Sequence, residues 1–343
     1  MRPDRSRVAV HRAPAGAVQA AVRDAMEAAS WRSFISPGAE VALKVNLGWD
    51  VFLPGAVSAP WVVEGVITTV RDYVSKIFLV ESDQVVAKAD RALRQTGLDE
   101  VCRNHGVTWV NMSQGRFVRI EDPSRLVLRS VELPEILTRT ELITLPVMKT
   151  HNKTVMTGAV KNQWGCLQTL RHNFHPFLAQ ALVDVNTLVR PRFAVMDATV
   201  GLEGDGPKSG TPKEMGLVLA SGDPVALDAV AARVMGLDVD GIEHLLLAAA
   251  NGLGTVTTED IEVLGESVAS VARPFRPAHH NAVSWFEMAL RRSLLRDLVF
   301  HTPAFGLFCW GARRYYDLWE LAVGRHLRDR VLRHSLYGAQ WRR

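Results

Sequence analysis

Cysteine is scarce in this chain: Cys102, Cys166 and Cys309 stand far apart in 343 residues, with no pair at CxxC spacing. That excludes a disulfide framework and a metal site built on clustered thiolates, and it suits a reducing compartment. Long apolar runs are missing too. No stretch of about 18 uncharged apolar residues occurs, so a spanning helix is not expected, and the N-terminal stretch lacks the apolar centre of a secretory signal. A cytoplasmic location is the expectation. Neither GxxxxGK[ST] nor GxGxxG occurs, which removes the P-loop and the usual dinucleotide fingerprint. No nucleic-acid reader motif is visible, and no nucleic-acid partner is expected.

What is there begins with charge. The net charge of +4 is unevenly placed: from Arg291 onward there are eleven arginines against four acids, +7, which leaves −3 for the rest. Apolar periodicity alternates between strand and helix through the first two-thirds. Val8–His11, Val41–Leu47, Ile77–Val80, Val107–Val110, Leu142–Val147, Phe193–Met196, Gly216–Ala220 and Ile261–Leu264 read as strands. Helices are expected over about 16–30, 59–73, 87–96, 98–105, 175–189, 225–235 and 242–250, and residues 116–133 alternate as a small antiparallel excursion. The predicted fold is α/β, a doubly wound, mostly parallel sheet with helices on both faces, spanning residues 1–270. Residues 271–343 form a basic, Trp- and Leu-rich helical extension.

In such sheets ligands bind beyond the carboxyl ends of strands. Asn46, Glu81, Lys149 and Asp197 each follow an apolar strand, and the densest polar cluster lies between Leu145 and Leu167. There Lys149 and His151 end one strand, and Lys161 and Asn162 follow Gly158. Converging lysines attract carboxylate or phosphate, and a neighbouring histidine moves protons near neutral pH. Lys44, inside an apolar strand, needs an acid, for which Glu81 or Asp83 is the natural partner. His172 and His175 are close enough in sequence to share a site. The segment 197–212, with glycines at 201, 204, 206 and 210, permits close backbone approach to a ligand. Cys166 reads as a buried small residue rather than a nucleophile.

Six blocks in order carry a wider resemblance: Lys44-Val-Asn-Leu, Leu145-Pro-Val-Met-Lys-Thr-His, Thr157-Gly-Ala-Val-Lys-Asn-Gln-Trp-Gly-Cys, Met196-Asp, Gly201-Leu-Glu-Gly-Asp-Gly-Pro and Ala220-Ser-Gly-Asp-Pro-Val-Ala-Leu-Asp. Together, over roughly residues 40–255, they resemble domain-of-unknown-function family 362 (DUF362). The resemblance implies polar motif positions at Lys44, Asn46, Lys149, His151, Lys161, Asn162, His175, Asp197 and Glu203. Many members carry a ferredoxin-like CxxCxxCxxxCP module; this chain has none, so no intrinsic iron–sulfur cluster is expected.

These readings converge on an enzyme acting on an anionic or enolisable small molecule, with isomerisation, cyclisation and redox steps all open. His151, Lys149, Asp197 and Glu203 are the catalytic candidates; Lys44, Asn46, Lys161, Asn162, Gly204, Gly206 and His175 are the substrate-binding ones. Glu81, Asp197 and Glu203 are the candidates for a divalent metal. A non-catalytic anion-binding or carrier module is the alternative. For the extension, residues 284–343, the open roles are peripheral contact with an anionic membrane, packing on the core and a homodimer contact.

Overall fold

The computed structural model describes residues 5–342 apart from positions 168, 280, 281, 292, 295 and 301. Its elements run β1 (Ser6–Arg12), α1 (Val18–Ala28), β2 (Glu40–Lys44), α2 (Pro60–Val70), β3 (Lys76–Glu81), α3 (Ala89–Thr96), α4 (Leu98–His105), β4 (Thr108–Asn111), β5 (Phe117–Glu121), β6 (Ser130–Pro134), α5 (Ile136–Arg139), β7 (Glu141–Thr144), β8 (Val147–His151), β9 (Val155–Thr157), α6 (Ala159–Asn162), α7 (Leu178–Val189), β10 (Phe193–Glu203), β11 (Thr211–Ser221), α8 (Pro224–Val234), α9 (Glu243–Ala250), β12 (Ile261–Gly265) and α10 (Val268–Val271). The extension adds α11 (Ala282–Arg291), α12 (Arg296–Phe300), α13 (Ala304–Trp319) and α14 (Arg325–His334).

The main sheet has the order β12-β1-β11-β10-β7-β2-β3-β4, with β8 and β9 continuing beside β10. Every pair in that order is parallel except the two made by β11. The expected mostly parallel α/β architecture is what forms. Alternation along the strands explains the two covered faces. Val41, Leu43, Ile77 and Leu79 point into a core roofed by α1, α2 and α4, while Ala42, Phe78 and Val80 point into the one beneath α7, α8 and α9. The excursion over 116–133 is the separate β5–β6 hairpin.

Three segments differ from the sequence reading. The Leu142–Val147 strand breaks at Leu145-Pro146, and the chain restarts as β8, because proline cannot donate to the ladder. The helix expected from His175 begins only at Leu178, after 3-10 turns over Thr169–Phe177 that contain Pro176. The strands expected to end at Met196 and to begin at Gly216 are both longer: β10 runs on past a bulge at Ala198–Val200 through Gly201 to Glu203, and β11 returns from Thr211.

The extension is not detached from the sheet domain. Tyr337 is buried against it and donates its hydroxyl to the Ala13 carbonyl; Trp341 lies against Trp61; and Arg313 pairs with the buried Asp50 at 2.6 Å.

Candidate functional site

Beyond the carboxyl ends of β2, β3 and β8 lies a cavity of about 70 Å³, whose walls include Lys44, Asn46, Glu81, Gln84, Lys149, His151, Lys161, Asn162, Trp164, Gly165 and Lys208. It is large enough for a small anion or several waters. Seven of the residues singled out in the sequence thus meet there: Lys44, Asn46, Glu81, Lys149, His151, Lys161 and Asn162.

The floor is a fixed polar network. Lys44 Nζ lies 2.8 Å from Glu81 Oε2, and both side chains are almost wholly buried. This is the pairing expected from sequence. Glu81 also accepts from the backbone N–H groups of Leu47 and Ser82. Lys149 donates to Asn46 Oδ1 at 2.7 Å and to the Ala56 carbonyl at 2.8 Å. Asn46 in turn donates to Asn162 Oδ1, and Asn162 donates to the Lys44 carbonyl and Thr144 Oγ1. The two asparagines therefore tie three strand ends to α6. α6 itself is held by Asp228, which accepts from the Ala159 and Val160 N–H groups at 2.6 and 2.9 Å. Burial pushes the Asp228 carboxyl up to about 7.

Three ammonium groups face this floor without a carboxylate partner among the described residues: Lys149, Lys161 and Lys208. Lys161 lies over the Trp164 ring at 5.6 Å, and Lys208 lies over Trp49 at 4.9 Å. Burial, reinforced by the other cations, brings each of the three down to about 7. His151 Nδ1 accepts the Lys153 N–H at 3.0 Å, which assigns the proton to Nε2. Burial and the flanking lysines push its basicity well down, so it is a neutral imidazole with one N–H to offer.

Gly165 completes the wall. A Cβ there would stand 2.6 Å from Glu81 Oε1 and 2.8 Å from Lys44 Nζ, so a side chain would displace the buried ion pair. Gly165→Ala is expected to destabilise the fold by about 1–3 kcal/mol and to weaken anion binding, measurable by urea unfolding and calorimetry on the same sample.

Other predicted residues are employed elsewhere. Asp197 is buried mid-strand; it accepts from Thr199 and from the Ala59 N–H at the start of α2. Glu203 pairs with Lys213 and Arg276. Neither lines the cavity, so the structure does not bring these two catalytic candidates together with His151 and Lys149. Gly204 is a turn residue at φ +77°, and a Cβ on Gly206 would strike the Thr150 carbonyl at 2.1 Å. Gly206 thus serves close approach of backbone to backbone, and Gly204 serves the left-handed turn. Nor do the metal candidates fit an ion: Glu81, Asp197 and Glu203 lie apart and are each engaged, and no group of three His, Cys, Asp or Glu side chains suited to a metal occurs among the described residues. Cys166 is buried, and its thiol is pushed up to about 12 by that burial.

His175 stands in an adjoining cavity of about 160 Å³ that shares His151, Lys161, Trp164 and Lys208 with the first. There Glu287 of α11 accepts from both His175 (2.8 Å) and Lys153 (2.6 Å). Burial lowers His175 to about 4. Sequence reasoning missed Lys208, Glu287 and Arg171, the last fully buried beside Ser82 and Asp83 with an unpartnered Nε. Lys208 had a faint signal in the Gly-Pro-Lys of the turn, as a cation at the edge of a glycine-rich segment.

The model of the family described as Domain of unknown function (DUF362) matches residues 41–233, more than half of the chain. The chain belongs to the DUF362 family. The matched segment runs from β2 into α8 and so contains the DUF362 cavity's lysines and Asn162, while Glu287 falls outside it. The thylakoid-associated protein sll1697 of Synechocystis sp. is 27% identical over 256 residues, covering 71% of this chain and 78% of that protein. Among solved structures, the lactate racemase apoprotein from Thermoanaerobacterium thermosaccharolyticum matches with a TM-score of 0.45 at 9% identity, over 68% of this chain and 57% of that one. A Thermotoga maritima protein matches at 0.37 and 8% identity, over 70% and 60%. The chain thus spans under two-thirds of either solved structure.

Proposed function

We propose that the chain is an enzyme that binds a carboxylate head group in the lysine cavity and moves a proton at the carbon beside it. The observation that carries this reading is the charge of the walls: four lysines face the cavity, and the one carboxylate among the lining residues, Glu81, is held by Lys44. Lys149 and Lys208 hold the anion. Lys161, to which no described carboxylate or carbonyl offers an acceptor, supplies a neutral amine near pH 7 as the base. The proton passes from carbon to Lys161 Nζ, and the His151 N–H donates to the enolate oxygen that forms. Return of the proton gives an isomerised or racemised product.

The test is exchange in D2O. A panel of 2-hydroxy carboxylates followed by proton NMR should include one whose α-proton signal fades with the wild type and persists with Lys161→Gln. The carrier alternative predicts binding without exchange for every ligand, and that result would refute the enzyme.

The extension supports a second, compatible role at a membrane surface. No described helix is long and apolar enough to cross a bilayer. Leu294, Leu298, Trp310 and Leu318 are nonetheless exposed among arginines, as an interfacial segment requires, and the Synechocystis relative is named as thylakoid-associated. Cosedimentation with phosphatidylglycerol vesicles is expected for the wild type and not for Trp310→Glu/Leu318→Glu; equal recovery of both would end this reading.

A further inference from the structure

An apolar groove of about 900 Å³ lies between α11, α12 and α13, lined by Trp285, Phe286, Leu290, Leu307 and their neighbours, with no charged side chain in its walls. Its volume is that of a ligand site rather than a packing defect. Its inner end is shared: Val283, Phe308 and Ala312 line both this groove and the cavity that holds His175. That cavity in turn shares Lys161, His151 and Lys208 with the lysine site. One route therefore leads from a cationic pocket to an apolar trough. Packing within the extension does not fill the trough: Trp285, Phe286 and Leu307 remain 64%, 51% and 72% exposed. Exposed apolar surface of this extent marks a binding face.

We infer that the substrate is a long-chain carboxylate, whose head is held by Lys149 and Lys208 and whose apolar chain lies in the groove of α11–α13. This rests on the carboxylate reading of the lysine site and adds the tail. Charge complementarity at one end and continuity of the two cavities select this occupant over a second copy of the chain, which would cover the groove without needing the lysines. It also gives the extension a reason to reach the site through Glu287: the helices that carry the chain seat are anchored on His175 and Lys153, which line the cavity between the lysine site and the groove.

Calorimetric titration of the full chain with acetate, laurate and dodecyl maltoside, the last two below their micellar concentrations, tests it. Each buried CH₂ tightens binding about fourfold, so partial burial of the laurate chain is expected to improve affinity over acetate by about 100-fold or more. Leu307→Asp and Phe286→Asp, both at exposed positions, should remove that gain and leave acetate binding unchanged, while Lys149→Met weakens both acids. Laurate binding no tighter than acetate overturns the chain seat while the head-group site stands. Equal affinity for laurate and dodecyl maltoside overturns it as well, as does a dimer that Leu307→Asp dissolves with no chain-length effect. Binding of neither acid removes the carboxylate reading along with this one.

Discussion

Lys161→Gln is expected to lower turnover by about 10²–10⁴-fold with little change in substrate affinity. Lys161 differs from its neighbours in what surrounds it. Lys149 is held by Asn46 Oδ1 and the Ala56 carbonyl, whereas Lys161 has the face of Trp164 and no described acceptor. Burial and the charges of Arg171, Lys149 and Lys153 bring it to about 7, so near neutral pH much of it is free amine. Lys161→Arg separates base from anion holder: it keeps the charge and cannot lose it, so it should be as inactive as Lys161→Gln. The pH profile follows with its sign. The ratio kcat/KM, which reports the free enzyme, rises as pH climbs through about 7 and Lys161 loses its proton. Binding weakens over the same range as Lys149 and Lys208, also near 7, lose theirs. The ratio kcat/KM is therefore bell-shaped with its maximum near neutrality. An active Lys161→Arg enzyme would show that the group acts only as a charge.

Lys44→Met is expected to destabilise the protein by about 3–5 kcal/mol, because it strands a buried carboxylate. Lys44 and Glu81 are each about 1% exposed, and Glu81 is also bound by two backbone N–H groups that fix it in place. Replacing both, as Lys44→Met/Glu81→Leu, should recover much of the loss, since a buried ion pair contributes little more than well-packed apolar residues of similar volume. Urea unfolding midpoints of the two variants measure this. A double variant no more stable than Lys44→Met would mean that Glu81 matters through its backbone contacts rather than through its charge.

Much of the frame was legible in the sequence because it depends on period. β2 and β3 bury both faces and read as apolar runs, α4 has the boundaries its pattern predicts, and Lys44 inside such a run called for an acid that Glu81 supplies. The lysines of residues 145–167 were legible for the same reason, since polar groups ending a buried strand and its following turn have few places to go but a site. The rest comes from segments without period. Lys208 sits in a turn, Arg171 in 3-10 turns, and Glu287 reaches His175 across 112 residues of chain. Asp197 and Glu203 read as strand-end groups because polar residues after an apolar run look like the end of a strand; β10 continues past Asp197 and ends at Glu203, and each carboxylate is engaged by its own surroundings.

The claim on which the account turns is that an anion enters among lysines that are partly neutral when the cavity is empty. An anion raises their pKa values from about 7 toward the ordinary lysine range, so above neutrality binding must take up protons, and affinity must fall as pH rises. Sulfate does not titrate in this range. Calorimetric titration with sulfate at pH 8, in two buffers of different ionisation enthalpy, is the most direct measurement. The account predicts heats that differ between the buffers by the proton uptake, and a difference that shrinks in Lys149→Met. Equal heats in both buffers, or sulfate binding untouched by Lys149→Met, would contradict it.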